Sequence, residues 1–155
     1  MRALLDTAFL LNEFFYRNPD VAAVRGGLAP PEQLLAAWQQ SHEALLALSL
    51  QQGAGVYVPE YALLRFMAVL SELGVSAHAV AEELRYWQLN AVLLPVSMEQ
   101  LVQVLPAKAG THPSAEAIIL TFIAHEQGLD AILSPNAPGA SSANRGLFLR
   151  PEEVG

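Results

Sequence analysis

Hydrophobic and polar positions along this chain follow two rhythms. Five short apolar runs, at residues 3–5, 56–58, 91–96, 131–133 and 147–149, are too short for helices and suit buried strands. Pro95 sets the end of the third run near a sheet edge. Between the runs, apolar residues recur every three to four positions, the helical period. Residues 8–16 carry Phe9, Leu10 and Phe14 at that spacing, and Asn18-Pro19-Asp20 ends or bends the helix. The Gly- and Ala-rich segment up to Pro30 reads as a loop. Pro31 opens a long helix that ends near Gln52-Gly53. Its stripe is Leu35, Trp38, His42, Leu45 and Leu46, continued by the polar Ser49.

Pro59 starts the next helix, through about Leu73-Gly74, and Ser76 starts another that carries Val80, Leu84 and Trp87. Ser97 with Gln100 forms a capping-box pattern ahead of a short helix at 98–105. A loop containing Gly110 spans 106–113, and Ser114 caps a long apolar helix at 115–127, closed by Gly128. Ser134-Pro135-Asn136 turns the chain after the fourth strand, and 137–146 is a Pro-, Gly-, Ser- and Asn-containing loop expected to be mobile. The order is strand, two helices, strand, two helices, strand, two helices, strand and a last short strand. That alternation implies parallel strands joined by helical crossovers. The expected class is α/β: a single domain over 1–155, with a central, mostly parallel sheet of four to five short strands flanked by helices in an α/β/α sandwich.

Composition changes this picture in three ways. With 53% hydrophobic and 15% charged residues, the chain calls for a sheet covered on both faces, or for a surface partly buried by a partner. No apolar run approaches the roughly 18 residues that span a bilayer, and no signal-peptide pattern opens the chain, so a cytoplasmic protein without a membrane segment is expected. The absence of cysteine excludes disulfides, thiolate catalysis and cysteine-ligated zinc. The net charge of −7 comes from eight basic against fifteen acidic residues, with Lys108 the sole lysine. No basic cluster of the kind that neutralises phosphates is visible, although seven scattered arginines can converge in space.

The candidate chemistry starts at the first strand. Ala3-Leu4-Leu5 runs into Asp6, with Thr7 as the expected N-cap of the following helix. Ligands of open α/β sheets gather outside the carboxyl ends of the strands, so Asp6 points to where chemistry would happen. The opening Arg2-Ala3-Leu4-Leu5-Asp6-Thr7 resembles the start of a PIN domain, a family of metal-dependent ribonucleases whose first strand typically ends in Asp-Thr or Asp-Ser. The order of elements resembles the PIN fold along nearly the whole chain. That resemblance implies three or four carboxylates around Mg²⁺ or Mn²⁺, hard cations that take oxygen ligands, activate water and neutralise phosphate charge.

The family pattern carries over unevenly. Asp6 matches the first acid. The second, a Glu separated from Pro59 by five residues, falls on Arg65, which has no lone pair for a metal. Arg65 is then either a partner for Asp6 in place of a cation or a solvated residue on a helix face. Glu60, one to two turns earlier, reads as a first-turn surface acid. The third acid falls at Ala117 by the family register, and Glu116 is the neighbouring acid that can serve there. The fourth position reads Ser134-Pro135-Asn136, where Asn136 offers a carbonyl oxygen without charge. Asp6, Glu116 and Asn136 are the candidate catalytic residues, Asp6 and Glu116 the metal ligands, and Thr7, Arg65 and Ser134 the accompanying candidates.

His42, His78, His112 and His125 form no pair at ligand spacing on one helix face and read as cap, surface or packing residues. Trp38, Trp87 and most Phe residues lie on apolar stripes and read as core. The apolar surplus of the second long helix offers a homodimer face. Three readings follow. The first is a PIN-like protein whose incomplete carboxylate site gives weak or no cleavage and which works by binding RNA or a protein. The second is an active Mg²⁺- or Mn²⁺-dependent ribonuclease of the toxin type, with an antitoxin-like partner. The third is an unrelated α/β domain in which Asp6 is only a turn residue.

Overall fold

The computed structural model of the chain describes residues 1–21, 30–112, 114–137 and 146–154. Five strands, β1 (Arg2–Leu5), β2 (Gly55–Pro59), β3 (Val92–Leu94), β4 (Ala131–Leu133) and β5 (Phe148–Leu149), form one sheet in the order β3-β2-β1-β4-β5. Every pairing is parallel, with Leu4 opposite both Tyr57 and Ile132. The helices are α1 (Thr7–Arg17), α2 (Glu32–Leu50), α3 (Glu60–Glu72), α4 (Ala77–Asn90), α5 (Met98–Ala107) and α6 (Ala115–Glu126). The α/β sandwich is therefore as expected, and its sheet is parallel throughout. The expected loop at 137–146 lies outside the described residues except for its ends, as does 22–29 of the segment before Pro30.

Strand alternation divides the core in two. Ala3, Leu5, Val58 and Leu133 face one way, into Phe9, Phe14, Leu48, Phe66, Leu70 and Trp87 of α1 to α4. Leu4 and Ile132 face the other way, into Leu120, Ile123 and Ala124 of α6. A parallel sheet buried on both faces explains why its strands read as unbroken apolar runs. At the end of α6, Gly128 takes a φ of 61° and lets Leu129 donate back to the Ala124 carbonyl at 2.8 Å.

Some local expectations shift. Asp6, not Thr7, is the N-cap of α1: its Oδ1 accepts the Phe9 N–H at 2.8 Å, and Thr7 is already helical. Residues 19–21 resume helical geometry after the Asn18 cap, so Pro19 bends the path there. Helix α5 continues through Pro106 to Ala107. Strand β3 stops at Leu94, because Pro95 has no N–H to continue the ladder.

The buried face of α2 is Trp38, Ser41, Ala44 and Leu48, while Leu35 and Leu46 are exposed. The helix is rotated toward its small residues, which let α1 come close enough for Asn12 to donate to Ser41 Oγ at 3.1 Å. The same contact buries Glu13 completely. Its carboxylate accepts from Arg17 Nε at 3.2 Å and meets His42 Nδ1 at 3.1 Å, and the Tyr86 hydroxyl donates to it at 3.4 Å. Arg17 turns its other nitrogens on Glu83 at 3.0 and 2.7 Å, tying α1, α2 and α4 together. His42 is thus a packing residue, as read from its spacing, and it also stacks on Tyr16.

Candidate functional site

The chain runs outward from β1 through β2 to β3 and then returns to the opposite side of β1 for β4 and β5. Connections leaving β1 and β4 therefore diverge, which opens a crevice at the carboxyl ends of these two strands. A cavity of about 240 Å³ lies there. Asp6, at the end of β1, lines it together with Ser134 and Asn136, which follow β4, and with Glu116 from the first turn of α6. Ser114 holds that turn by accepting the Ala117 N–H at 3.1 Å. The loop after β4 is fixed by the Asn136 N–H to Ser134 Oγ at 3.2 Å and by Arg150 Nε to the Ala137 carbonyl at 2.8 Å. Four separated candidates thus meet in one cavity.

Their environments differ. Asp6 is buried, and its carboxyl is pushed up to about 6, chiefly by desolvation and further by the Glu116 charge. Hydrogen bonds from Ser134 and from the Phe9 and Ala8 amides hold it below what burial alone would give. Arg65 does not reach Asp6 as its partner, nor is it simply solvated. Its Nη1 donates to Glu116 Oε2 at 2.8 Å, although the side chain is 60% exposed. The helical register explains this: Arg65 stands one turn beyond Tyr61 on α3, and Tyr61 packs against both halves of the core beside the two acids.

Among the described residues, Glu116 Oε1, the Tyr61 hydroxyl and the Oγ1 of Thr7, which follows Asp6 in the chain, are buried without a hydrogen-bond partner. Burial, the Glu116 charge and the Asp6 charge push the Tyr61 phenol up, so it stays protonated and available as a donor. Tyr61 escaped the sequence reading because it looks like core. Its i, i+4 relation to Arg65 is the signal that links it to the site. His112 also lines the cavity, although its spacing gave no hint of this. Glu60 is exposed and belongs to a different groove, with Leu64 and Arg85.

The oxygen donors suit a hard cation in kind but not in number or charge. Among the described residues no group of three acidic or histidine side chains is placed to hold a metal ion. Glu116 is already neutralised by Arg65, and Asn136 adds no charge. As arranged, these residues do not fit a Mg²⁺ or Mn²⁺ centre. Their chemistry is that of a buried acid titrating near pH 6 beside hydroxyl donors and an arginine–glutamate pair.

Among known proteins, no family model matches the chain and no curated protein matches it significantly. What is shown is an α/β fold with a parallel sheet, an architecture compatible with the PIN-like fold. Among the described residues, no helix is long and apolar enough to cross a membrane.

Proposed function

We propose that the chain is a PIN-like protein, related to metal-dependent ribonucleases, whose carboxylate centre is incomplete. It binds single-stranded RNA and cleaves it weakly or not at all. The observation that supports this reading is the Arg65–Glu116 pair, 2.8 Å long, beside Asp6 at the β1/β4 crevice. A guanidinium stands where the resemblance calls for a second carboxylate, and it forms an ion pair with Glu116 in place of a cation site. With a net charge of −7, contact with RNA is local, through such single arginines, rather than through a broad basic face.

A second reading, an active Mg²⁺- or Mn²⁺-dependent nuclease, is favoured by the partnerless Glu116 Oε1 and Thr7 Oγ1, which a cation could use once Arg65 moves away. Calorimetric titration of Mn²⁺ separates the two. Under the first reading the wild type and Asp6→Asn both fail to bind, and the double variant Arg65→Glu with Asn136→Asp gains measurable binding. Tight binding by the wild type that disappears in Asp6→Asn, together with cleavage of single-stranded RNA, would establish the second reading. No binding by the double variant would show that the register linking Arg65 and Asn136 to the family's acids is wrong.

A further inference from the structure

A second cavity, of about 500 Å³, lies between α5 and α6 and shares His112 with the carboxylate cavity. Its volume is in the range of small-ligand sites. The walls are apolar, with Val104 from α5 and Ile118 and Phe122 from α6. Lys108, His112 and His125 also line it, and no acidic residue does. In a chain of net charge −7, the single lysine beside two imidazoles that can donate hydrogen bonds marks a place for an anion. Thr111 Oγ1 donates to the Lys108 carbonyl at 2.6 Å, which fixes the turn that carries the lysine.

Thr121 lines the same cavity, and its Oγ1 is buried without a hydrogen-bond partner among the described residues. An apolar cavity with one buried hydroxyl at its wall and the Lys108 ammonium beside it together match a nucleotide. The base would take the apolar walls, a polar atom of the base would meet Thr121, and the phosphate would meet Lys108 and His112. We propose that this cavity is a nucleotide-binding pocket, seating one residue of the RNA strand whose neighbouring phosphodiester lies at Asp6. The RNA context rests on the reading given under Proposed function, whereas the pocket can be tested without it.

The test is a titration of the four ribonucleoside 5′-monophosphates into the wild type, Thr121→Val, Lys108→Gln and Asp6→Asn, followed by NMR and calorimetry, with a single-stranded oligoribonucleotide titrated in parallel. The wild type is expected to bind one base best. Lys108→Gln weakens all four about three- to tenfold, and Thr121→Val weakens the preferred one by a similar factor while levelling the preference. Absence of saturable monophosphate binding, or binding indifferent to both Thr121→Val and Lys108→Gln, overturns the pocket. Loss of binding in Asp6→Asn alone also overturns it, by placing the nucleotide in the carboxylate cavity. If the oligonucleotide fails to bind while the monophosphates behave as expected, the pocket stands and the RNA reading falls.

Discussion

Helix α1 presents two buried carboxylates about two turns apart, Asp6 as its cap and Glu13 within it, and they are treated in opposite ways. Glu13 is surrounded by partners: Arg17, His42 and Tyr86 converge on its oxygens, and Arg17 is itself held by Glu83. Asp6 receives hydrogen bonds from backbone amides and from Ser134, has no cation of its own, and faces the charge of Glu116 across the cavity. One carboxylate is enclosed by compensation, and the other is left short of it. Burial of an acid therefore does not mark function by itself. The incomplete compensation does, because a ligand can supply what the protein withholds.

The largest effect should come from breaking the compensated side. Arg17→Met leaves Glu13 and Glu83 buried without their shared guanidinium, and it should cost about 3–5 kcal/mol in urea unfolding at pH 7. A loss below about 1 kcal/mol would mean that His42 and Tyr86 alone suffice for Glu13. Asp6→Asn should act in the opposite direction. A carboxyl raised from 3.8 to about 6 is most compatible with the fold below its unfolded value, and that stability is lost as pH rises through the folded value.

Asparagine keeps the cap without the charge, so Asp6→Asn should stabilise the protein at pH 7. The upper limit is about 3 kcal/mol, at roughly 1.4 kcal/mol for each pH unit. The gain should shrink through the window from 6 downward and vanish below about 4, read from unfolding curves across pH. A gain that stays constant with pH would place its origin outside ionisation. The smallest effect belongs to Arg65→Gln. The pair with Glu116 is largely exposed on the arginine side, so unfolding should change by less than about 1 kcal/mol. A larger loss would make Arg65 part of the scaffold rather than of the site.

The strands and their succession with helices along the chain were legible because both faces of the sheet are covered, which makes each strand an unbroken apolar run. Asp6 was legible as the end of the first strand, and Glu116, Ser134 and Asn136 through the positions that the PIN resemblance implies; the structure brings the four to one cavity. The partner of Arg65 was not legible, since the i, i+4 register of α3 aims it at α6 rather than at β1, and only coordinates show which acid lies there. The face of α2 was misjudged for a related reason. Leu35 and Leu46 dominate any count of hydrophobicity, but the approach of α1 is decided by the small Ser41 and Ala44. Glu13, Arg17 and Glu83 left no mark beyond one i, i+4 acid–base pair, which on most helices is a solvated one.

The strand order also bears on how the chain is made. β1 is the middle strand, with Ala3 beside Val56 on one edge and Ala131 on the other. During synthesis from the amino end, the earliest strand of the sheet is enclosed only after β2 and β3 have emerged. It gains one neighbour when residues 55–59 emerge and the second only when residues 131–133 do. Until then an apolar strand has an open edge on which another nascent chain can pair or a chaperone can hold, and closure waits on contacts far apart in sequence. For this fold, the pace of elongation between β2 and β4 becomes a determinant of yield, separate from the stability of the finished domain.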